Sequence, residues 1–211
     1  MTEIDWLNLI ATIKPFRLVY TLCLGLGFLI SGGGGVRDKV ELFDTESKSS
    51  CAMPSLPAHR SIHTMNKNLI CGGAYAANRT CVQLRDGEWT TSHHLLYSRK
   101  RHVSWEVDVG VILMGGADDS ASLTSELVRY DGGVEAAFPL KYVVYASCAI
   151  NEGDSVVVTG GWGSDKRAVR YNRAGWVEDL PNLLTGNRYH ACGQYTNNDN
   201  QKVRKRTKCQ K

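Results

Sequence analysis

The sequence predicts an all-β protein built as an array of small antiparallel sheets, and three observations carry that prediction. Double-glycine steps recur at Gly32-Gly33, Gly72-Gly73, Gly115-Gly116 and Gly160-Gly161, spaced by 40, 43 and 45 residues. A period of that size signals one supersecondary unit per repeat. Each step follows a short apolar run: FLIS, NLIC, VILM and VVVT. Each is followed by a segment of alternating apolar and polar side chains: KVELFD (39–44), CVQLRD (81–86), ELVRYD (126–131) and AVRYN (168–172). Alternation with period two marks a strand with one buried face.

Taken in order, residues 1–16 form a leader, and the units cover about 17–59, 60–100, 101–144 and 145–187. Residues 188–203 open a partial fifth unit and 204–211 form a basic tail. Within the leader, 1–14 fit either a short amphipathic helix or a poorly packed leader. Residues 18–30, LVYTLCLGLGFLI, have the length of a signal-peptide core but too few apolar residues for a spanning helix. The repeat gives them a second account, two buried strands of the first unit, and that account is preferred. Tight turns follow each alternating segment, at Asp44-Thr45, Asp86-Gly87, Asp131-Gly132-Gly133 and Asn172-Arg173. Such residues tolerate the positive φ of hairpin turns. Trp89 and Trp176 follow two of these turns and, with the glycine pairs, are structural signature residues of the repeat. The glycine pairs are expected where a strand ends beside a crowded centre, so that a Cβ would clash or φ must be positive.

Composition bounds the function. Apolar residues make up 43% and charged residues 22% of the chain, ordinary for a folded domain. The formal charge of +4 is misleading, because 202–211 hold six basic residues and no acid; without them the rest stands at −2. A near-neutral body excludes a dominant nucleic-acid-binding face. Seven cysteines without a CxxC give no zinc motif and leave the redox compartment open. Cys71 and Cys81 flank a hairpin and can face each other; the preferred reading is two small apolar strand residues. Asn78 begins a sequon that matters only if the chain is secreted.

An apolar run, Gly-Gly, an aromatic near a turn and then a Trp, repeated at this period, resembles the kelch repeat over residues 17–195. The third element is filled by Phe43, Tyr130 and Tyr171 but by Leu84 in the second unit, and the Trp is missing from the first and third. The resemblance implies a kelch-type β-propeller of about four four-stranded antiparallel blades. It further implies an incomplete one, because such propellers carry more blades than this chain has Gly-Gly steps. A truncated array, a ring of four blades and self-association of two chains are the three accounts.

Arg60, Arg101 and Arg188 recur at matching positions of the repeat, each near a His, and are the partner-binding candidates, since arginine takes carboxylates in a fixed bidentate geometry. The competing account has them cap strand ends through backbone carbonyls. His59 and His63, four residues apart on an extended chain, lie about 13 Å apart and share no metal. His93 and His94 point to opposite faces. No nucleophile elbow or phosphate loop occurs. No metal, cofactor or nucleic-acid partner is expected. The function expected is a non-enzymatic protein-interaction module that recognises an acidic partner through loops between strands. The alternatives are a secreted or membrane-attached kelch protein and, less favoured, a galactose-oxidase-like or sugar-epimerase-like enzyme. A cytoplasmic location is slightly preferred to secretion.

Overall fold

The computed structural model describes residues 27–32, 37–44, 47–116, 121–190 and 192. Gly33, the leader, residues 18–26, the basic tail and most of the partial fifth unit lie outside the described residues.

Four antiparallel sheets follow one another along the chain. Unit 1 contains β1 (Gly27–Ser31), β2 (Val40–Asp44) and β3 (Ser49–Met53). Unit 2 contains β4 (Thr64–Asn66), β5 (Leu69–Cys71), β6 (Thr80–Arg85) and β7 (Glu88–His94). Unit 3 contains β8 (Val103–Val107), β9 (Gly110–Met114), β10 (Thr124–Arg129) and β11 (Val134–Pro139). Unit 4 contains β12 (Cys148–Glu152), β13 (Ser155–Thr159), β14 (Ala168–Asn172) and β15 (Val177–Asp179). Every strand pairs only with its neighbours in sequence, so each unit is a meander of three or four strands. Among the described residues the only helical pieces are 3-10 turns at Tyr75–Ala77 and Ala121–Leu123. This is an all-β, blade-like architecture.

Local chemistry explains the strand ends. Asp86 and Gly87 have φ of 49° and 83°, which sets Arg85 opposite Glu88 across a two-residue hairpin. Trp89 is therefore the second residue of β7 and is 5% exposed. The turn after β14 is longer, so Trp176 falls before β15 and is 58% exposed. Its backbone N–H, not its ring, is the held group, donating to Asn172 Oδ1 at 2.9 Å. Trp89 and Trp176 thus follow the corresponding turns of their units but differ in burial.

The core lies between units. Val40 and Leu56 of unit 1 and its connector pack on Ile70, Val82 and Trp89 of unit 2. Leu69, Cys81 and Leu95 pack on Val111, Leu113 and Val128 of unit 3. Trp105, Ile112, Met114 and Phe138 pack on Val156, Val158, Val169 and Tyr171 of unit 4. Strands buried on both faces read as apolar runs rather than alternation, which is why all of Gly110–Met114 is buried. Each buried Val, Leu or Ile side chain contributes about 1.5–3 kcal/mol, so a sheet with two covered faces is stabilised mainly by its neighbours.

Cys71 and Cys81 are opposite residues of β5 and β6, with Cα atoms 4.1 Å apart, and they form a buried disulfide. That corrects the preferred reading of two independent apolar residues: direct cross-strand pairing leaves the sulfurs facing each other. A second disulfide joins Cys148 to Cys192 across 44 residues of sequence. Cys51 is also disulfide-bonded.

Candidate functional site

The Gly-Gly steps and the connectors that enter each new unit meet at one end of the sheets. The first glycines, Gly32, Gly72, Gly115 and Gly160, have φ between 60° and 68°. A Cβ on Gly72 would sit 2.5 Å from the Arg99 carbonyl oxygen and 2.8 Å from the His102 ring. The crowding expected of the pairs is therefore supplied by the next connector. The second glycine donates its N–H to that same carbonyl: Gly73 to Arg99 and Gly116 to Val144 at 2.7 Å, and Gly161 to Asn187 at 2.9 Å.

These contacts fix which connector residues are equivalent. Arg60, Arg99, Val144 and Asn187 share one position, and His63, His102, Ser147 and His190 share another three residues later. Between them stand Ile62, Arg101, Ala146 and Tyr189, all with φ of 51–57°. The last three each donate their N–H to the carbonyl of the one before: Arg101 to Ile62 and Ala146 to Arg101 at 3.0 Å, and Tyr189 to Ala146 at 2.9 Å. One backbone thread thus runs from unit to unit. It places Arg60, Arg101 and Arg188 at three different positions of the repeat, not at one. The pairing of Arg101 with His102 and of Arg188 with His190 in the sequence hid a shift of one or two residues.

Arg60 is 1% exposed and donates to the carbonyls of Gly72, Ala77 and Thr80 at 2.7–3.0 Å, and to the Thr80 hydroxyl. Burial lowers its pKa to about 10, so it stays charged at neutral pH. The competing account, carbonyl capping, describes this residue. Arg99, which sequence reasoning passed over, repeats the wiring with Gly115 and Thr124. It adds a fully buried ion pair: Arg99 Nε donates to Glu126, whose other oxygen accepts the Leu96 N–H at 2.7 Å. Arg60 Nε, by contrast, is buried without a hydrogen-bond partner.

The connector histidines lie over the glycines. Each pairs through Nε2 with a hydroxyl: His63 with Ser31 at 2.8 Å, His102 with Thr64 at 2.7 Å and His190 with Thr159 at 3.1 Å. Burial, then the Arg60 charge, lowers the His63 pKa to about 4. Burial, then Arg99 and His63, lowers that of His102 to about 3. Both Nδ1 atoms are buried without a partner, so a second proton there would be an uncompensated charge. The His63 and His102 imidazoles are neutral packing groups.

The exposed chemistry of this end is a patch of arginines on aromatic rings. The Arg101 guanidinium lies 5.3 Å from the Tyr145 ring and 5.0 Å from that of Tyr189, and donates to the Tyr145 hydroxyl. Arg188 lies 4.4 Å over Trp162. Trp162 is tied to Tyr145 by a 2.8 Å backbone bond, and Arg188 adjoins Tyr189 in the chain, so the patch is continuous. Trp162 is 51% and Tyr189 54% exposed. Arg37 stacks on exposed Tyr75 in the same manner, at 4.4 Å.

At the opposite end, hairpin turns of units 2 to 4 line a cleft of about 490 Å³ with Lys67, Glu106, Asp108, Asp154 and Arg173. Its charges pair with one another, Lys67 with Glu106 and Arg173 with Asp108 and Asp154. Asn78 caps the 3-10 turn at Tyr75–Ala77 and is half-buried. Among the described residues no three His, Cys, Asp or Glu side chains group to hold a metal, and no helix is long and apolar enough to cross a membrane.

No protein-family model and no curated protein matches the chain. Among solved structures it is similar to one described as "Structure of YjhT", with a TM-score of 0.59 and 12% identity over 74% of this chain. The match spans 63% of that structure's chain. At this identity the likeness defines the class of fold, sequential antiparallel blades, and nothing finer.

Proposed function

We propose that this chain is a kelch-type β-propeller segment that works as a protein-interaction module, gripping an acidic partner at its Gly-Gly end. The observation that carries the reading is the patch of Arg101 and Arg188 stacked on Tyr145, Tyr189 and Trp162. Neither arginine forms a salt bridge with a described residue, so their charge is available to carboxylates. Arginine and large aromatics are the residue types that dominate binding energy at interfaces, and loops on a rigid support are where recognition concentrates. Arg60 leaves the partner-binding set because it is buried and its terminal nitrogens are used on backbone carbonyls and the Thr80 hydroxyl.

A photo-cross-linking residue at Trp162 tests this against one at Val109, an exposed position in a hairpin turn at the other end. Discrete adducts from position 162 that vanish with Arg101→Gln are expected. Equal adducts from position 109, or none from 162, would overturn the reading. The disulfides favour the secreted or membrane-attached version, because such bonds persist in oxidising compartments. N-terminal sequencing of the protein recovered from outside the cytosol, showing cleavage upstream of Gly27, would support it; an intact Met1 on cytosolic protein would reject it.

A further inference from the structure

The patch is half built on the connector that leaves unit 4, and that connector is held unlike the other three. In the earlier connectors a leucine and the residue four positions later are buried: Leu56 and Arg60, Leu95 and Arg99, Leu140 and Val144, none more than 5% exposed. The equivalents after unit 4 are Leu183, only half-buried, and Asn187, exposed. Among the described residues 181–190 and 192, no side chain belongs to any of the three core clusters. What replaces the apolar anchor is covalent: Cys192 is bonded to Cys148, the first residue of β12, with its sulfur 3.5 Å from the Ala149 carbonyl. Both cysteines are half-buried, whereas Cys71 and Cys81 are 2% and 0% exposed.

We propose that the Cys148–Cys192 disulfide is a redox gate on the recognition patch. A dithiol reductant supplies the co-reactant. One of its thiolates attacks a sulfur of the pair, the S–S bond breaks, and the electron pair departs with the other sulfur, which takes up a proton. The reductant's second thiol then displaces the remaining cysteine and closes its own disulfide. Two electrons and two protons have moved from the dithiol to the cysteines. Accessible disulfides are the reducible ones, and buried ones are spared. Once it is broken, no buried apolar side chain anchors the described part of the connector, which keeps the His190 ring over Gly160, the arginine–ring contacts and hydrogen bonds, among them Leu183 to Lys166 at 2.7 Å, Asn187 to Asp165 at 2.8 Å and Tyr189 to Ala146 at 2.9 Å. Segments held by exposed backbone bonds without buried apolar contacts open locally. Opening removes Tyr189 from Arg101 and Arg188 from Trp162.

The gate's meaning for binding rests on the proposed function, but its existence is measured separately. Amide hydrogen exchange of the full chain is followed with and without dithiothreitol, at a level where alkylation mapping finds Cys71–Cys81 intact, and in the Cys148→Ser/Cys192→Ser variant. Exchange at Tyr189 and Gly161 should quicken at least about tenfold, while Gly73 and Gly116 stay unchanged. Unchanged Tyr189 and Gly161, or equal quickening at all four, would overturn the gate. Cross-linking from Trp162 should fall on reduction; adducts that persist while the connector is open would also overturn it. No adducts even in the oxidised protein would instead refute the partner-binding reading and leave the exchange result to decide the gate.

Discussion

The connector entering unit 3 and the one leaving unit 4 stand at equivalent positions and make the same backbone contacts, yet different forces hold them. Residues 95–102 are fastened from inside: Leu95 in the core, Arg99 on two carbonyls and on Glu126, His102 over Gly72. Residues 183–192 keep the histidine over a glycine and the carbonyl bond to the second glycine, but have Asn187 for the arginine and a disulfide for the leucine. The backbone pattern is what the fold requires of every unit. The side-chain anchor is what each unit is free to change, and the loosest anchor carries the exposed aromatics.

The largest expected effect breaks that comparison directly. Arg99→Ala leaves Glu126 charged and unpaired in the core and should cost about 3–5 kcal/mol in denaturant unfolding. Asn187→Ala should cost less than about 1 kcal/mol. Comparable losses would mean that the two connectors are held alike. A glycine pair gives the next contrast. Gly72→Ala forces a Cβ against a connector that cannot yield, at positive φ, and should cost about 3 kcal/mol. Gly160→Ala meets the same atoms of a connector free to shift, and about 1 kcal/mol is expected.

Acid should weaken the interior connectors through their histidines. The unfolded chain takes up protons on His63 and His102 as pH falls through about 6.5, while the folded chain resists until about 4 and 3. The folded state therefore binds fewer protons in that window, and stability declines as pH drops from 6.5 toward 4. Each residue contributes at most about 1.4 kcal/mol per pH unit. His102→Asn, which can still meet Thr64, should flatten the slope measured by urea titration at several pH values; an unchanged slope would remove His102 from this account. The smallest effect is at Arg60. Val82 occupies the place of Glu126 in the repeat, so Val82→Gln offers the orphan Arg60 Nε an acceptor. It should be tolerated better than Val128→Gln, by about 1 kcal/mol.

The sheets were legible because glycines and alternation are local signals. β1, β5, β9 and β13 coincide with the four apolar runs, and β2, β6, β10 and β14 with the alternating segments. The site was legible only in part. Arg101 and Arg188 were found by their chemistry, but their register was misread because Asn187 and Val144 break the arginine series. The invariant is geometric, a connector carbonyl against the first glycine, and it appears in sequence only as a three-residue spacing to a His or Ser. Glu126 looked like an exposed strand residue, since nothing local reveals that its partner is 27 residues away. Tyr145, Tyr189 and Trp162 come from three separate stretches, so their convergence depends on how the units stack.

The central claim is that the connector after unit 4 is a separate, weaker element bearing half of the proposed recognition patch. Native-state hydrogen exchange of the oxidised protein across low denaturant tests it most directly, by comparing the amides of Arg101, Ala146 and Tyr189, which make the same bond in successive units. The account predicts that Arg101 and Ala146 exchange only with global unfolding, while Tyr189 exchanges through a lower-energy, denaturant-insensitive opening. A single opening free energy shared by all three amides would contradict it.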